Sequence, residues 1–224
     1  MTNLIKIELK KFSIKSHIIQ LIIANIAILA ILTPLFIFVA PQEEYLDMVA
    51  MVSILNLATF IVWQGVLIAR IIVEEFQSKT IFLLFTYPVS RKKLIASKLV
   101  IINTVVFFSI LATQIFQNTA LTIMAQFVPQ LEYSLSIYQI GMVVLVSVAS
   151  VMMGMLSLFV GMIKKSTIAT IVSSIVVVAM LGSSFGEGAG GLIMQIPISL
   201  SVGIIGVILA FMAIKDIDKK DLLV

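Results

Sequence analysis

Six continuous apolar runs limit what this chain can fold into more than any other feature of its sequence. Each run is about as long as the roughly 20 residues that a helix needs to cross the hydrocarbon core of a bilayer. The runs are continuous rather than alternating, which excludes the strands of a membrane β-barrel. The sequence therefore predicts one all-α integral membrane domain over residues 1–224 with six transmembrane helices. These predicted spans 1 to 6 cover residues 18–40, 48–69, 99–124, 137–163, 167–185 and 192–214.

The composition agrees with a membrane protein and excludes several kinds of chemistry. Hydrophobic residues make up 61% of the chain and charged residues only 12%, against about 25% charged residues in a soluble domain. Little of the chain remains for a soluble fold, so any chemistry that needs one must come from a partner. The chain has no cysteine, which excludes disulfides, thiolate metal sites and a cysteine nucleophile.

The positions of the charges predict how the chain is oriented in the membrane. With six spans, all 15 lysines and arginines fall on one side, in the N-terminal segment, the 70–98 loop, the pair Lys164 and Lys165, and the C-terminal tail. The loops on the other side carry only acids. By the positive-inside rule both termini are cytoplasmic. A different number of spans would mix the charges, so their separation also favours six.

The N-terminal segment is amphipathic. Ile5, Leu9 and Phe12 recur at helical spacing, while Lys6 and Lys10 lie on another side. This pattern predicts a short interfacial helix on the lipids of the inner leaflet. A basic tail held by anionic lipid without a helix is the alternative.

The loop between spans 2 and 3, residues 70–98, is the longest connection and carries an apolar segment of its own. About ten apolar or weakly polar residues after Lys79 would make a helix of about 15 Å, half the hydrocarbon thickness, so this segment cannot cross. Pro88 ends a helix just before it, and Ser90 can cap a new helix that begins at Arg91. The loop is therefore predicted to be a helix, a proline turn and a second helix.

The first helix of this loop has an exposed apolar face formed by Ile81, Leu84 and Phe85, with Glu74 and Glu75 at its start, where carboxylates are favourable. Such a face fits a groove on another protein. It could equally lie flat on the bilayer or pack under spans 2 and 3, and the residues alone leave both open.

The order of residues in this loop is similar to a family pattern: a glutamate, a threonine, leucines, a Pro-Val-Ser-Arg segment and a later lysine. The residues concerned are Glu75, Thr80, Leu83, Leu84, Pro88, Val89, Ser90, Arg91 and Lys98. They resemble the pattern E-x-x-x-G-T, leucines, P-[VI]-S-R and Lys of ABC-2 type permeases, the membrane subunits of ABC exporters. Lys79 stands where that family has glycine.

The resemblance implies that the loop is a coupling helix seated in a cleft of a cytosolic ABC ATPase. The implied coupling residues are Glu74, Glu75, Phe76, Thr80, Ile81, Leu83, Leu84, Phe85, Tyr87, Pro88 and Arg91. The chain has no G-x-x-x-x-G-K-[ST] loop, so it is not expected to be an enzyme, and ATP and magnesium would be bound by the separate ATPase. Six spans are half of the family's usual twelve, which implies a second permease, identical or related. The implied location is the bacterial cytoplasmic membrane.

The spans contain neutral polar residues but no charged residue deep inside. Ion-coupled or proton-relay transport, which needs intramembrane charges, therefore has no candidate residues, and no metal site is expected. Asn56 and Gln64 are candidates for a translocation path, because span 2 faces the cavity in the resembling family. Gln114, Gln117 and Asn118 share one face of span 3, where they either line the path or bond to neighbouring helices.

A neutral, apolar interior suits an amphipathic or hydrophobic cargo such as a peptide toxin, a bacteriocin or an antibiotic, with lipid or glycan next. No nucleic acid partner is expected. The alternatives are a secondary transporter or channel, which lacks charged intramembrane residues and a detectable inverted repeat here, and a membrane-embedded enzyme. An enzyme would need a nucleophile with a base, paired aspartates or a metal cluster within the membrane.

Two further patterns concern the later spans. Thr170, Ser173 and Ser174 form a small hydroxyl face that permits close approach of helices. The glycine-rich residues 182–191 and Pro197 predict either a re-entrant or broken helix before span 6 or a plain external loop.

Overall fold

The computed structural model describes residues 14–38, 48–78, 91–128, 133, 136–182 and 191–215. Within these ranges the secondary structure is helical. The helices are α1 (Ile14–Phe38), α2 (Met48–Ile68), a π-helix (Ala69–Val73), α3 (Glu74–Gln77), α4 (Arg91–Phe127), α5 (Ile137–Gly154), α6 (Leu156–Lys164), α7 (Thr167–Gly182) and α8 (Gly191–Lys215).

Among the described residues, five helical segments are long and apolar enough to cross a membrane. They are Lys15–Phe38, Met48–Gln77, Lys92–Phe127, Ile137–Lys164 and Ile196–Lys215. The apolar part of α7, Thr167–Met180, is shorter. An all-α, multi-pass membrane fold is thus confirmed, whereas the count of six spans stays a prediction because the helix at predicted span 5 is short. The proposed N-terminal interfacial helix lies outside the described residues.

Two helices extend further into the 70–98 segment than the predicted spans did. The helix over span 2 continues through the π-helix and α3 to Gln77, and the described part of α4 runs from Arg91. The predicted cap residue Ser90 lies outside the described residues. The apolar segment with the proposed coupling helix falls in 79–90, outside the described residues. The dipole argument for Glu74 and Glu75 does not apply, because the Glu74 N–H is not free: it donates to the Ala69 carbonyl.

The helix α2 lies at the centre of the bundle and packs against α4, α5 and α7, while α8 packs along α5 and α6. Two apolar clusters form the core. One is centred on Leu32, Leu57 and Leu121 and the other on Ile68 and Ile102, all fully or nearly fully buried. In contrast, α1 exposes a face rich in isoleucine, as expected for a helix at the lipid boundary.

Glycines allow several helices to approach each other closely. A Cβ at Gly65 of α2 would lie 2.5 Å from the Ser174 hydroxyl of α7, and a Cβ at Gly161 of α6 would lie 2.2 Å from the Thr170 hydroxyl. Thr170 and Ser174 are buried in these contacts, which confirms that the predicted hydroxyl face serves close contact between helices.

The helix α8 differs from expectation at Pro197. The helix α8 runs from Gly191 to Lys215 and includes Pro197, so the predicted interruption at this proline is wrong. A proline inside a helix removes one N–H donor and favours a bend, but here the helix continues on both sides. Residues 183–190 lie outside the described part of the chain, and whether they form a gate or a loop stays open.

Gly206→Ala tests the close contact of α8 with α5. The new Cβ would lie 2.6 Å from the Met152 carbonyl oxygen, which belongs to a backbone that cannot rotate away. We expect a loss of about 1–3 kcal/mol, seen as a lower melting temperature in detergent by the fluorescence of Trp63, the single tryptophan. Gly141→Ala is the matched control, because nothing lies within 4 Å of a Cβ there. Equal melting temperatures would contradict the contact.

Candidate functional site

A π-helix lies where α2 leaves the apolar core, directly before the proposed coupling loop. Its backbone shifts from the usual i to i−4 hydrogen bonds, and the Glu74 N–H donates to the Ala69 carbonyl five residues earlier. Ala69, Ile72 and Val73 are buried, whereas Arg70 is exposed. Such π segments often occur at functional sites, and the apolar sequence Ala-Arg-Ile-Ile-Val gave no signal of this one.

Next to the π-helix, Lys98 of α4 makes a salt bridge to Glu75 of α3. Its Nζ also donates to the carbonyl of Ile71 in the π-helix, at 3.3 Å. The Lys98 side chain is 2% exposed and that of Glu75 is 30% exposed. A buried ammonium group is costly unless it is paired and hydrogen-bonded, and here Glu75 and Ile71 supply the pairing and a hydrogen bond.

This salt bridge connects residues on either side of the proposed coupling loop. Glu75 precedes and Lys98 follows the undescribed segment 79–90, so the pair joins the two ends of the proposed coupling loop. These are also two of the residues that carried the family resemblance. The structure thus brings together a glutamate and a lysine that the sequence placed 23 residues apart. We call this pair the loop clamp.

A crevice of about 400 Å³ opens between the π-helix and α3 on one side and the start of α7 on the other. Its lining consists of Ala69, Arg70, Glu74, Gln77, Ser78, Thr167 and Ile171. The Gln77 Oε1 accepts hydrogen bonds from the backbone N–H of Thr167 at 3.4 Å and from its hydroxyl at 3.2 Å. This contact connects α3 to the first turn of α7.

The remaining proposed coupling residues divide into three groups. Glu74 is exposed, while Phe76 is partly buried and packs against the second apolar cluster. Arg91 is the first residue of α4. The others lie outside the described residues, namely Thr80, Ile81, Leu83, Leu84, Phe85, Tyr87 and Pro88.

The candidate path residues of α2 bond to neighbouring helices. The Asn56 Nδ2 donates to the Gln117 Oε1 of α4 at 2.6 Å, and both side chains are fully buried. The Gln64 Nε2 donates to the Asn103 Oδ1 of α4 at 2.9 Å and to the Val151 carbonyl of α5 at 3.0 Å. These contacts connect α2 to both α4 and α5.

Further polar contacts of α4 involve α1, the helix itself and Tyr133. The Asn25 Nδ2 of α1 donates to the Thr113 hydroxyl at 3.0 Å. Within α4, the Asn118 Nδ2 donates to the Gln114 carbonyl at 2.6 Å. The Tyr133 hydroxyl, from the connection after α4, donates to the Asn118 Oδ1. We call the interhelical contacts of Asn25, Asn56, Gln64, Asn103, Thr113 and Gln117 the amide seam. Asn103 and Thr113 were not among the predicted site residues, although Thr113 lies one helical turn before Gln117.

The amide seam is neutral and retains unused hydrogen-bonding capacity. Asn25 Oδ1, Asn56 Oδ1, Gln64 Oε1 and Gln117 Nε2 are buried and have no hydrogen-bond partner within the described part of the chain. Buried polar atoms normally have partners, so these atoms can accept or donate bonds in another arrangement of the helices. Within the same residues, no group of three or more His, Cys, Asp or Glu is placed to hold a metal ion.

The described helices and their polar contacts define a multi-pass helical membrane protein. Comparison with known sequences adds the family: the pattern described as "ABC-2 family transporter protein" matches residues 4–182. The chain therefore belongs to the ABC-2 transporter family, whose members are membrane subunits of transporters, and the resemblance seen in its loop is confirmed.

One relative matches over nearly the whole chain. It is an uncharacterized protein of Bacillus subtilis strain 168, YcbO, which is 31% identical over 232 aligned residues that cover 98% of this chain and 99% of the relative. No solved structure matches the chain significantly.

The unequal burial of the loop clamp predicts unequal effects of removing its two charges. Glu75→Gln leaves the buried Lys98 without its counter-charge, and we expect a loss of about 3–5 kcal/mol. Lys98→Met leaves a carboxylate that water can reach, and we expect about 1 kcal/mol or less. The melting temperature in detergent measures both.

Lys93→Met makes the same substitution at an exposed position of the same helix and serves as the control. The double variant Glu75→Gln with Lys98→Met should resemble Lys98→Met alone, since no unpaired buried charge remains. A larger effect of Lys98→Met than of Glu75→Gln would contradict this account of the clamp.

Proposed function

We propose that this chain is the permease subunit of an ATP-driven ABC exporter, coupled to a separate cytosolic ATPase through residues 74–91. The loop clamp is the observation that carries the proposal. A loop that transmits force must not bend at its base, and a salt bridge between Glu75 and Lys98 ties both ends of this loop to the bundle.

The continuity of the flanking helices supports the same role. The helix that contains α2, the π-helix and α3 runs without a break from Met48 to Gln77, and α4 runs from Arg91 to Phe127. A displacement of the loop therefore moves two long helices whose inner faces meet at the amide seam. ATP and magnesium would be bound and hydrolysed by the partner, and this chain supplies no catalytic residue.

Residues of the amide seam, together with Gln114 and Asn118, are the proposed lining of the path. When α2 and α4 separate, Asn56, Gln64, Gln114, Gln117 and Asn118 become available to cargo, and their side chains are neutral. Amides without charge, next to large apolar surfaces, suit an amphipathic or hydrophobic cargo such as a peptide toxin, a bacteriocin or an antibiotic better than an ion.

The remaining parts of the proposal concern assembly and location. A second permease, identical or related, would complete the usual twelve spans. The separation of charges supports cytoplasmic termini in the cytoplasmic membrane of a bacterium, with the loop clamp on the side of the ATPase.

Charge placed on the apolar face of the loop tests the coupling. We expect the double variant Thr80→Asp with Leu84→Asp to lose the ATPase, because two carboxylates in an apolar groove are costly to desolvate. The tagged chain is purified from its native host in mild detergent, and co-purified vanadate-sensitive ATP hydrolysis is measured. Export of a candidate peptide from cells is measured in parallel.

Ser136→Asp is the control, since it adds a carboxylate at the opposite end of the bundle. Ser136 is the N-cap of α5, a position where aspartate is equally suitable. If the double variant retains both ATPase and export, the coupling assignment is wrong. If export persists with a hydrolysis-dead ATPase, the chain is a secondary transporter or channel.

A further inference from the structure

The α-helical hydrogen bonding of the fourth predicted span is interrupted at Met155, between α5 and α6. The Met155 N–H donates to the Met152 carbonyl at 3.3 Å, and the Leu158 N–H donates to the Met155 carbonyl at 3.1 Å. Both bonds reach back three residues instead of four. The carbonyls of Val151 and Gly154 therefore lose their usual helical donors, in a part of the bundle that is buried.

Two buried side chains replace those donors. The Gln64 Nε2 of α2 donates to the Val151 carbonyl at 3.0 Å, and the Ser157 hydroxyl donates to the Gly154 carbonyl at 2.7 Å. Both side chains are fully buried. A side chain inserted into the hydrogen-bond ladder of a helix is a recognised cause of kinks. Ser157 belongs to the same span, whereas Gln64 comes from a different helix, α2.

Gly154 provides the space for Gln64. A Cβ at this position would lie 2.0 Å from the Gln64 Oε1, 2.4 Å from its Cδ and 3.1 Å from its Nε2. The three nearest atoms thus all belong to the glutamine. Any other residue at 154 would push the amide out of its position against α5.

The interruption separates two parts of the span that share one neighbour, since both α5 and α6 pack against α8. The part before Met155, α5, also packs against α2. The part after Met155, α6, also packs against α7 and the π-helix, where a Cβ at Gly161 would lie 2.9 Å from the Val73 Cγ2. This second part is therefore in contact with the continuation of α2, next to the loop clamp.

We propose that Gln64 is a positioning residue that holds span 4 open at a hinge at Met155 and links this hinge to movement of α2. With the amide in place, the Val151 carbonyl is occupied and the span is kinked. When α2 moves and withdraws the amide, the Met155 N–H bonds to the Val151 carbonyl and the span straightens. The link to α2 movement rests on the proposed function, whereas the hinge itself does not.

Spin labels can measure the hinge directly, because the chain has no native cysteine. Cysteines replace Leu145 and Ile163, which are 45% and 47% exposed and lie on either side of the break. In a straight helix their backbones would be about 27 Å apart. We expect a shorter distance in the unsubstituted background, and a distance that lengthens toward the straight value in Gln64→Ala and in Gly154→Ala.

The double variant distinguishes displacement of the Gln64 amide from a general loss of structure. Gln64→Ala removes the three atoms that lie nearest to a Cβ at position 154. Adding Gly154→Ala should therefore lengthen the distance between the labels no further. Gly141→Ala, with nothing within 4 Å of its Cβ, should leave the distance unchanged. If neither single variant lengthens the distance, or if the two effects add, the hinge is overturned.

A second arm tests the link to α2 in proteoliposomes that contain the co-purified ATPase. Magnesium, ATP and vanadate should shift the distance distribution in the unsubstituted background and leave it fixed in Gln64→Ala. If the single variants straighten the span but the trapped nucleotide moves nothing, the hinge stands and the proposed ATP coupling fails. If the nucleotide shifts the distribution equally in Gln64→Ala, coupling stands and Gln64 does not carry it.

Discussion

The structure depends on the fact that buried polar groups in an apolar bundle must find partners on other helices, since no water is present to solvate them. In α2 this requirement connects one helix to two neighbours: Asn56 bonds to Gln117, and Gln64 bonds to both Asn103 and the Val151 carbonyl. Each such bond contributes little by itself, on average about 0.6 kcal/mol between membrane helices. Together they fix the position of α2 along its axis, which apolar contacts with Leu, Ile and Val do not, because apolar contacts have no direction.

The two polar links of α2 differ in chemistry and therefore in what they permit. At the basic end, the loop clamp pairs full charges, and separating them would leave the Lys98 ammonium buried. Higher in the bundle, the link to α5 is a neutral amide whose Oε1 has no partner among the described residues. Neutral amide bonds can be exchanged at small cost, since the Val151 carbonyl has a backbone donor within reach. The clamp suits a fixed attachment, and the amide suits a link that changes.

A feature of this structure could be predicted from the sequence when the residues that determine it lie close together in the chain. The lengths of the apolar runs are local features of the chain, and they predicted the all-α membrane fold. The family pattern contained Glu75 and Lys98, but their contact needs two chain segments to fold back on each other, and no local pattern encodes such a contact. Gln64 was predicted as a path residue because the second span faces the cavity in the resembling family. Its bond to the Val151 carbonyl could not be predicted, because this acceptor lies 87 residues further along the chain and is a backbone group. Pro197 misled because a helix can continue through a proline when neighbouring helices hold it.

The glycines affect how helices can move as well as how closely they approach each other. Gly65, Gly154 and Gly161 all lie where α2 or its π continuation meets α5, α6 or α7, so at these three points small residues separate the helices. A helix surrounded by small residues can slide or rotate with less displacement of its neighbours than one held by interdigitated leucines. The π-helix next to Gly161 adds a place where the backbone register already departs from the α-helical one. The amides form directional hydrogen bonds that fix the position of α2, and the glycines leave room for it to move. Both features meet at α2.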